Sequence, residues 1–298
     1  MSKYDFLMQV KERLRQCHEL SGTIVDGNVY VRNNDTECYG VSICRDEAKV
    51  SPVIYIDRFY DSYIRKKITL DETVCAIVDQ FLALSDACKE HSDITLDFEE
   101  NRDRITYRLI SARNNTRYLE TVPYIPFLDM AIIFTIVYRI DKEGLESIRI
   151  TKELMENWDV STGQLLKLAR VNTPRIFPAT LEPMKQVVKR FLQIDEEELP
   201  FLDIDSPVLL LSNKQNIYGA TTILYRDEAE KIAEQLGESF FVIPSSIHEV
   251  LLMPESEVPD KEPLNEMIHR INQEHLGKVD VLSDCAYYYD RKEKRFYF

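Results

Sequence analysis

Phe240-Phe-Val-Ile-Pro-Ser-Ser-Ile-His-Glu-Val-Leu-Leu-Met-Pro254 is the stretch on which the reading of the fold turns. Two apolar runs of strand length, 240–243 and 250–253, flank a short polar segment, a pattern that predicts strand, turn and strand. Upstream, Asp227 and Glu230 stand in the spacing of a capping box. Ala229, Ile232, Ala233 and Leu236 then share one helical face, and Gly237 marks the stop. Further back, 207–211 and 217–225 predict strands around the turn 213–216. Downstream, Leu264, Met267, Ile268 and Ile271 predict the inward face of a helix over 263–276. Segments 286–289 and 295–298 predict a closing strand pair. Hairpins mixed with amphipathic helices, without regular strand–helix alternation, predict an α+β fold of mixed, largely antiparallel sheets with packed amphipathic helices.

The same signals extend towards the N-terminus. Thr69 and Glu72 form a capping box before Leu70, Val74, Ile77, Val78, Phe81, Leu84 and Cys88, which fall on one face of a helix over 69–88. Shorter helices are predicted at 3–17, 161–171 and 181–193. Residues 23–31 read as a hairpin around Asp26-Gly27, a pair suited to tight turns. Strands are predicted near 38–44, 53–56, 105–110, 131–140 and 147–151. The acidic, proline-containing stretch 195–206 predicts a surface connection between two subdomains, 1–194 and 207–298, or else a plain loop within one integrated domain.

Composition excludes several functions. The chain carries a net charge of −14 over 298 residues, and its short basic stretches are flanked by acids. No basic stripe is available for phosphates, so nucleic acid and anionic membrane are not expected partners. No apolar run reaches membrane-spanning length, and the N-terminus lacks a secretion pattern, which together predict a cytoplasmic protein. Six cysteines, at 17, 38, 44, 75, 88 and 285, form no CxxC pair and suit a reducing compartment. Cys75 and Cys88 are expected on the core face of the 69–88 helix. Five scattered histidines offer no metal-ligand spacing. Eight glycines, none closer than five residues to another, rule out a Walker loop or a GxGxxG turn. No metal and no cofactor is expected.

The segment Ser245, Ser246, His248 and Glu249 is the leading candidate for chemistry. Ser246 and His248 would share a face in extended chain, and a serine beside a histidine with an acid behind it is a nucleophile arrangement. The alternative is a turn whose hydroxyls satisfy nearby backbone, since the chain lacks a GxSxG elbow and an HExxH helix. Asn172 and Thr173, read as helix-end caps before Pro174, form a candidate ligand-binding pair, and Asp284, beside Tyr287, Tyr288 and Tyr289, is a third candidate. Two functions follow. One is a non-enzymatic binding or interaction protein whose partner is another protein or a small molecule. The other is a hydrolase or transferase built on Ser245, Ser246 and His248, with Asn172 and Asp284 as helpers.

Several stretches resemble a known family. They are Ser51-Pro-Val-Ile-Tyr-Ile-Asp57, Val122-Pro-Tyr-Ile-Pro-Phe-Leu-Asp129, Asn172-Thr-Pro174, Leu211-Ser-Asn213 with Tyr218-Gly-Ala220, Ile243-Pro-Ser-Ser-Ile-His-Glu249, and Leu282-Ser-Asp284 with Tyr287-Tyr-Tyr-Asp290. They are similar to a family of hypothetical proteins of Gram-positive gut bacteria, catalogued as a domain of unknown function. The resemblance runs from about residue 20 to the end and implies one integrated unit in a bacterial cytosolic protein. It implies no activity, cofactor or catalytic residue.

Overall fold

Ser2 and Thr69 open helices by the same chemistry. The Ser2 hydroxyl accepts the Asp5 N–H at 3.1 Å and the Asp5 carboxylate takes the Ser2 N–H at 3.2 Å. Thr69 and Glu72 exchange the equivalent bonds at 3.2 and 2.7 Å. Each box satisfies donors that helix geometry leaves unpaired. The computed structural model describes residues 1–45, 53–89, 95–141, 144–192, 207–258 and 260–298. They form two units, one of 1–32 with 36–95 and one of 33–35 with 96–298.

In the first unit, α1 (Lys3–Arg15), α2 (Asp57–Ile64) and α3 (Leu70–Lys89) accompany a sheet of β1 (Thr23–Val31), β2 (Glu37–Arg45) and β3 (Val53–Tyr55). Phe6, Leu7, Val10 and Leu14 of α1 pack with Val25, Val41, Ile43 and Ile54 of the sheet and with Val74, Ile77, Val78 and Phe81 of α3. The side chains of Leu84 and Cys88 lie outside the described residues.

Two expectations are corrected here. Residues 23–31 are one continuous strand, paired along its length with β2, and Asp26-Gly27 is no turn. Gly27 instead lets α1 approach, since a Cβ there would stand 3.3 Å from Leu7, while Asp26 accepts from the Lys11 ammonium at 2.6 Å. Cys75 is exposed. At 3.6 residues per turn it sits roughly 115° from the centre of the apolar stripe, too far round to be covered.

The second unit comprises α4 (Phe98–Asn101), β4 (Ile105–Ser111), α5 (Thr116–Thr121), β5 (Tyr124–Phe127), β6 (Met130–Asp141), β7 (Gly144–Arg149), α6 (Lys152–Asn157), α7 (Thr162–Ile176), β8 (Ala179–Pro183), α8 (Met184–Leu192), β9 (Leu209–Asn213), α9 (Glu228–Leu236), β10 (Phe240–Ser246), β11 (Glu249–Pro254), α10 (Glu262–Glu274), β12 (Tyr287–Asp290) and β13 (Arg295–Tyr297). One sheet has the order β13-β12-β10-β11-β9-β8. In the other, β6 lies between β4 and β5 and also pairs with β7. Every pairing among the described residues is antiparallel, as the α+β reading requires. The two sheets share a core. Ile105, Tyr107, Leu109, Ile132 and Phe134 face Leu211, Phe240, Val242, Val250, Leu252 and Tyr287, with Leu165 and Ala169 of α7 beside them. On the far face of the six-stranded sheet, Leu264 and Ile268 of α10 cover Phe241, Ile243 and Ala286.

The predicted connection 195–206 lies outside the described residues. Three further differences from expectation have local causes. Residues 217–225 form no strand. Gly219–Leu224 is a 3-10 helix entered through Tyr218, whose backbone is left-handed at φ 52°. Asp227 is also left-handed and its side chain caps nothing. Helix α7 runs through Pro174 to Ile176 rather than ending at 171, because side chains of its last turn bind β4, as described below.

Candidate functional site

The turn between β10 and β11 is fastened on every side. The Ile247 N–H donates to the Asp280 carbonyl at 2.8 Å, and the Ile247 carbonyl accepts from the Ala220 N–H at 3.3 Å. The Ser246 hydroxyl accepts the His248 N–H at 3.0 Å, and the Ser245 hydroxyl donates to the Glu249 carboxylate at 3.2 Å. Ser212 donates to the His248 carbonyl at 2.8 Å. The chain passes so close here that a Cβ on Gly219 would fall 2.2 Å from the Ser212 hydroxyl and 2.3 Å from the His248 carbonyl. Only glycine fits. Pro244 is tolerated because β12 pairs with β10 only as far as Val242.

The imidazole of His248 has its own partners. Its Nδ1 accepts the Tyr218 N–H at 3.2 Å, which places the proton of the neutral ring on Nε2, 3.5 Å from the Asp280 carboxylate. The Tyr218 ring stacks on it at 5.7 Å and 22°. The four candidates Ser245, Ser246, His248 and Glu249 are thus neighbours, but neither serine hydroxyl bonds the imidazole. Each hydroxyl is engaged elsewhere, in the manner of a polar turn.

Asn172 and Thr173 sit inside the last turns of α7. Asn172 donates to the carbonyls of Arg102 at 2.7 Å and Ile105 at 2.9 Å. The Thr173 hydroxyl donates to Ala169 at 2.6 Å and accepts the Tyr107 N–H at 3.1 Å. Thr221 accepts the next outward N–H of β4, that of Leu109, at 3.0 Å. β4 is the outer strand of its sheet, and these two hydroxyls occupy donors that would otherwise be bare. Asp284 accepts from Asn272 at 2.8 Å, with His269 at 3.8 Å. Nearby, Asp129 accepts from Ser283 at 2.9 Å and from the Tyr287 hydroxyl. Burial, and then the Asp129 charge, push the Tyr287 phenol upward in pKa. Among the described residues, no group of three histidine, cysteine, aspartate or glutamate side chains is placed to hold a metal ion.

The most unusual side chain was not among the sequence candidates. Arg108 lies mid-strand in β4, and its guanidinium carbon sits 4.4 Å from the centre of the Tyr218 ring. Its Nη2 reaches the Tyr118 hydroxyl at 3.4 Å, and its enclosed Nε has no hydrogen-bond partner among the described residues. No ion pair joins Arg108 to a carboxylate among the described residues. Beyond it, the Arg149 guanidinium lies 4.8 Å over the Tyr118 ring. The result is a column, Arg149–Tyr118–Arg108–Tyr218–His248–Asp280. The signal in the sequence was the arginine itself, set in the apolar strand Ile-Thr-Tyr-Arg-Leu-Ile.

Against known proteins, no curated protein and no solved structure matches the chain. The model of a family of unknown function, DUF5688, matches residues 3–291, nearly the whole length. The chain belongs to that family.

Proposed function

We propose that the chain is a non-enzymatic binding protein whose second unit receives an acidic group beside Arg108. One observation carries this reading. Among the described residues, the Arg108 guanidinium lies between two tyrosines, its enclosed Nε has no hydrogen-bond partner and no carboxylate forms an ion pair with it. Enclosing a charge without a partner costs several kcal/mol, and an incoming anion offsets that cost. The hydrolase reading is disfavoured by the bonds of the β10–β11 turn, because His248 would have to release Tyr218 before reaching either serine. Five described cysteines are free thiols, and no described helix is long and apolar enough to cross a membrane. Both support placing this protein in a reducing bacterial cytosol, in line with its resemblance to proteins of Gram-positive gut bacteria.

The test is native mass spectrometry of purified protein, with a parallel assay of model ester hydrolysis. The expected result is a non-covalent ligand, recovered unaltered and lost in Arg108→Gln, with ester hydrolysis no faster than in His248→Ala. Ester turnover that disappears in Ser246→Ala or His248→Ala would overturn the reading.

A further inference from the structure

We infer that the acidic group received by Arg108 is a single carboxylate, bound side-on by the guanidinium with the Tyr118 hydroxyl as a second donor. This rests on the binding reading above and names its ligand class. The guanidinium carbon stands over the Tyr218 ring, 4.4 Å from its centre. Nε–H and the adjacent Nη2–H are the two parallel tines of the side-on fork, a spacing that matches the two oxygens of a carboxylate. Among the described residues Nε has no hydrogen-bond partner, and Nη2 makes a long contact to the Tyr118 hydroxyl at 3.4 Å. Because the Tyr118 oxygen accepts from Arg108, its own proton remains available to a ligand oxygen.

Space and charge select against larger anions. The void bordered by Thr106, Arg108, Thr135, Leu145, Ile217 and Tyr218 has room for about one water-sized group. That is enough for the oxygen that meets Nε–H, while the second oxygen meets Nη2–H and the Tyr118 hydroxyl, which does not border the void. A net charge of −14 repels polyanions from the surface as a whole. The column carries two cations, Arg108 and, across Tyr118, Arg149, and one carboxylate, Asp280, a balance suited to a monoanion.

The carboxylate belongs either to a small molecule or to a free peptide terminus, and one titration separates them. The backbone amide resonances of Leu109, Tyr118 and Tyr218, which flank the site and are present in every variant, are followed in the full chain by NMR with benzoate, inorganic phosphate, and a short peptide bearing a free or an amidated C-terminus. The expected result is a saturable shift with carboxylates, at least tenfold weaker in Arg108→Lys and several-fold weaker in Tyr118→Phe. Arg113→Gln, an exposed control, is expected to leave it unchanged. Tighter binding of the free-terminus peptide than of benzoate would assign the source to a chain end, and the reverse order to a small molecule. Phosphate saturating below every carboxylate would overturn the carboxylate assignment while leaving an anion-binding protein. Absence of saturation with every probe, or saturation equal in wild type and Arg108→Lys, would overturn the site itself.

Discussion

Replacing Thr221 or Thr173 by valine tests whether hydroxyls really close the outer edge of β4. Valine keeps the shape of threonine and removes the acceptor, so the Leu109 or Tyr107 N–H is left buried and unpaired. An unsatisfied buried donor costs about 1–3 kcal/mol. Thr173 also loses the bond it donates to Ala169, but that carbonyl still accepts a helical N–H, so the second loss adds little. Serine keeps the hydroxyl and drops one buried methyl, worth about 0.8 kcal/mol. The expected order of stability is wild type, then serine, then valine at each site, read by urea unfolding with unchanged slope. Native-state hydrogen exchange supplies the local readout, with the amides of Tyr107 and Leu109 exchanging faster in the corresponding valine variant. A valine variant as stable as wild type, or less destabilised than its serine counterpart, would refute the edge-capping account.

Four further outcomes are expected. Gly219→Ala, whose Cβ would meet the Ser212 hydroxyl and the His248 carbonyl, is expected to cost about 3 kcal/mol in chemical denaturation. Arg108→Met removes an unpaired enclosed cation and its stacking on Tyr218, so stability should rise or fall by no more than about 1 kcal/mol, and a larger loss would show that the guanidinium is structural. Val78→Asp places a carboxylate in the first unit's core and should destabilise by several kcal/mol, while the exposed neighbour Asp79→Ala should change stability by less than about 0.5 kcal/mol in the same melts. Burial raises the phenol pKa of Tyr107, Tyr225 and Tyr287. The stability this linkage contributes is therefore fully present below the unfolded tyrosine value of about 10 and is lost as pH rises beyond it. Ultraviolet titration should show exposed tyrosines ionising first and these three only as the protein unfolds.

The sequence made the β10–β11 hairpin legible because β10 is almost wholly buried and β11 keeps apolar residues on both faces, so composition and length marked them without any tertiary information. The same held for α3, where capping and stripe agree. Failures came where a residue type has two uses. Asp26-Gly27 suits a turn, yet here glycine serves the close approach of α1. The β-branched run before Tyr225 suits a strand, yet the hydroxyls of Thr221 and Thr222 bond to Leu109 and Gly219 within a 3-10 helix. The polar turn at 245–249 is legible in the sequence, but the partners that fix His248 are Tyr218, Ser212 and Asp280, all distant in the chain. Arg108 escaped notice because its meaning lies in a missing partner, which only the assembled neighbourhood reveals.

The position of the β10–β11 hairpin also bears on how the six-stranded sheet assembles. Pro244 and Val250 pair across six positions of chain, whereas Ala179 meets Asn213 across 34 and Phe240 meets Tyr289 across 49. Closing a loop costs more entropy as it lengthens, so the most local pair is the least expensive to form first. That pair is also the middle of the sheet, with β12 on one flank and β9 on the other. The sheet is thus ordered to grow outward from a central seed, with β9 and then β8 added on one flank, and β12 added on the other together with β13, its own hairpin partner from Asp290 to Arg295. The residues of its tip, Ser246 to Glu249, then serve as a landing platform on which Ser212, Tyr218 and Asp280 settle once the outer strands arrive.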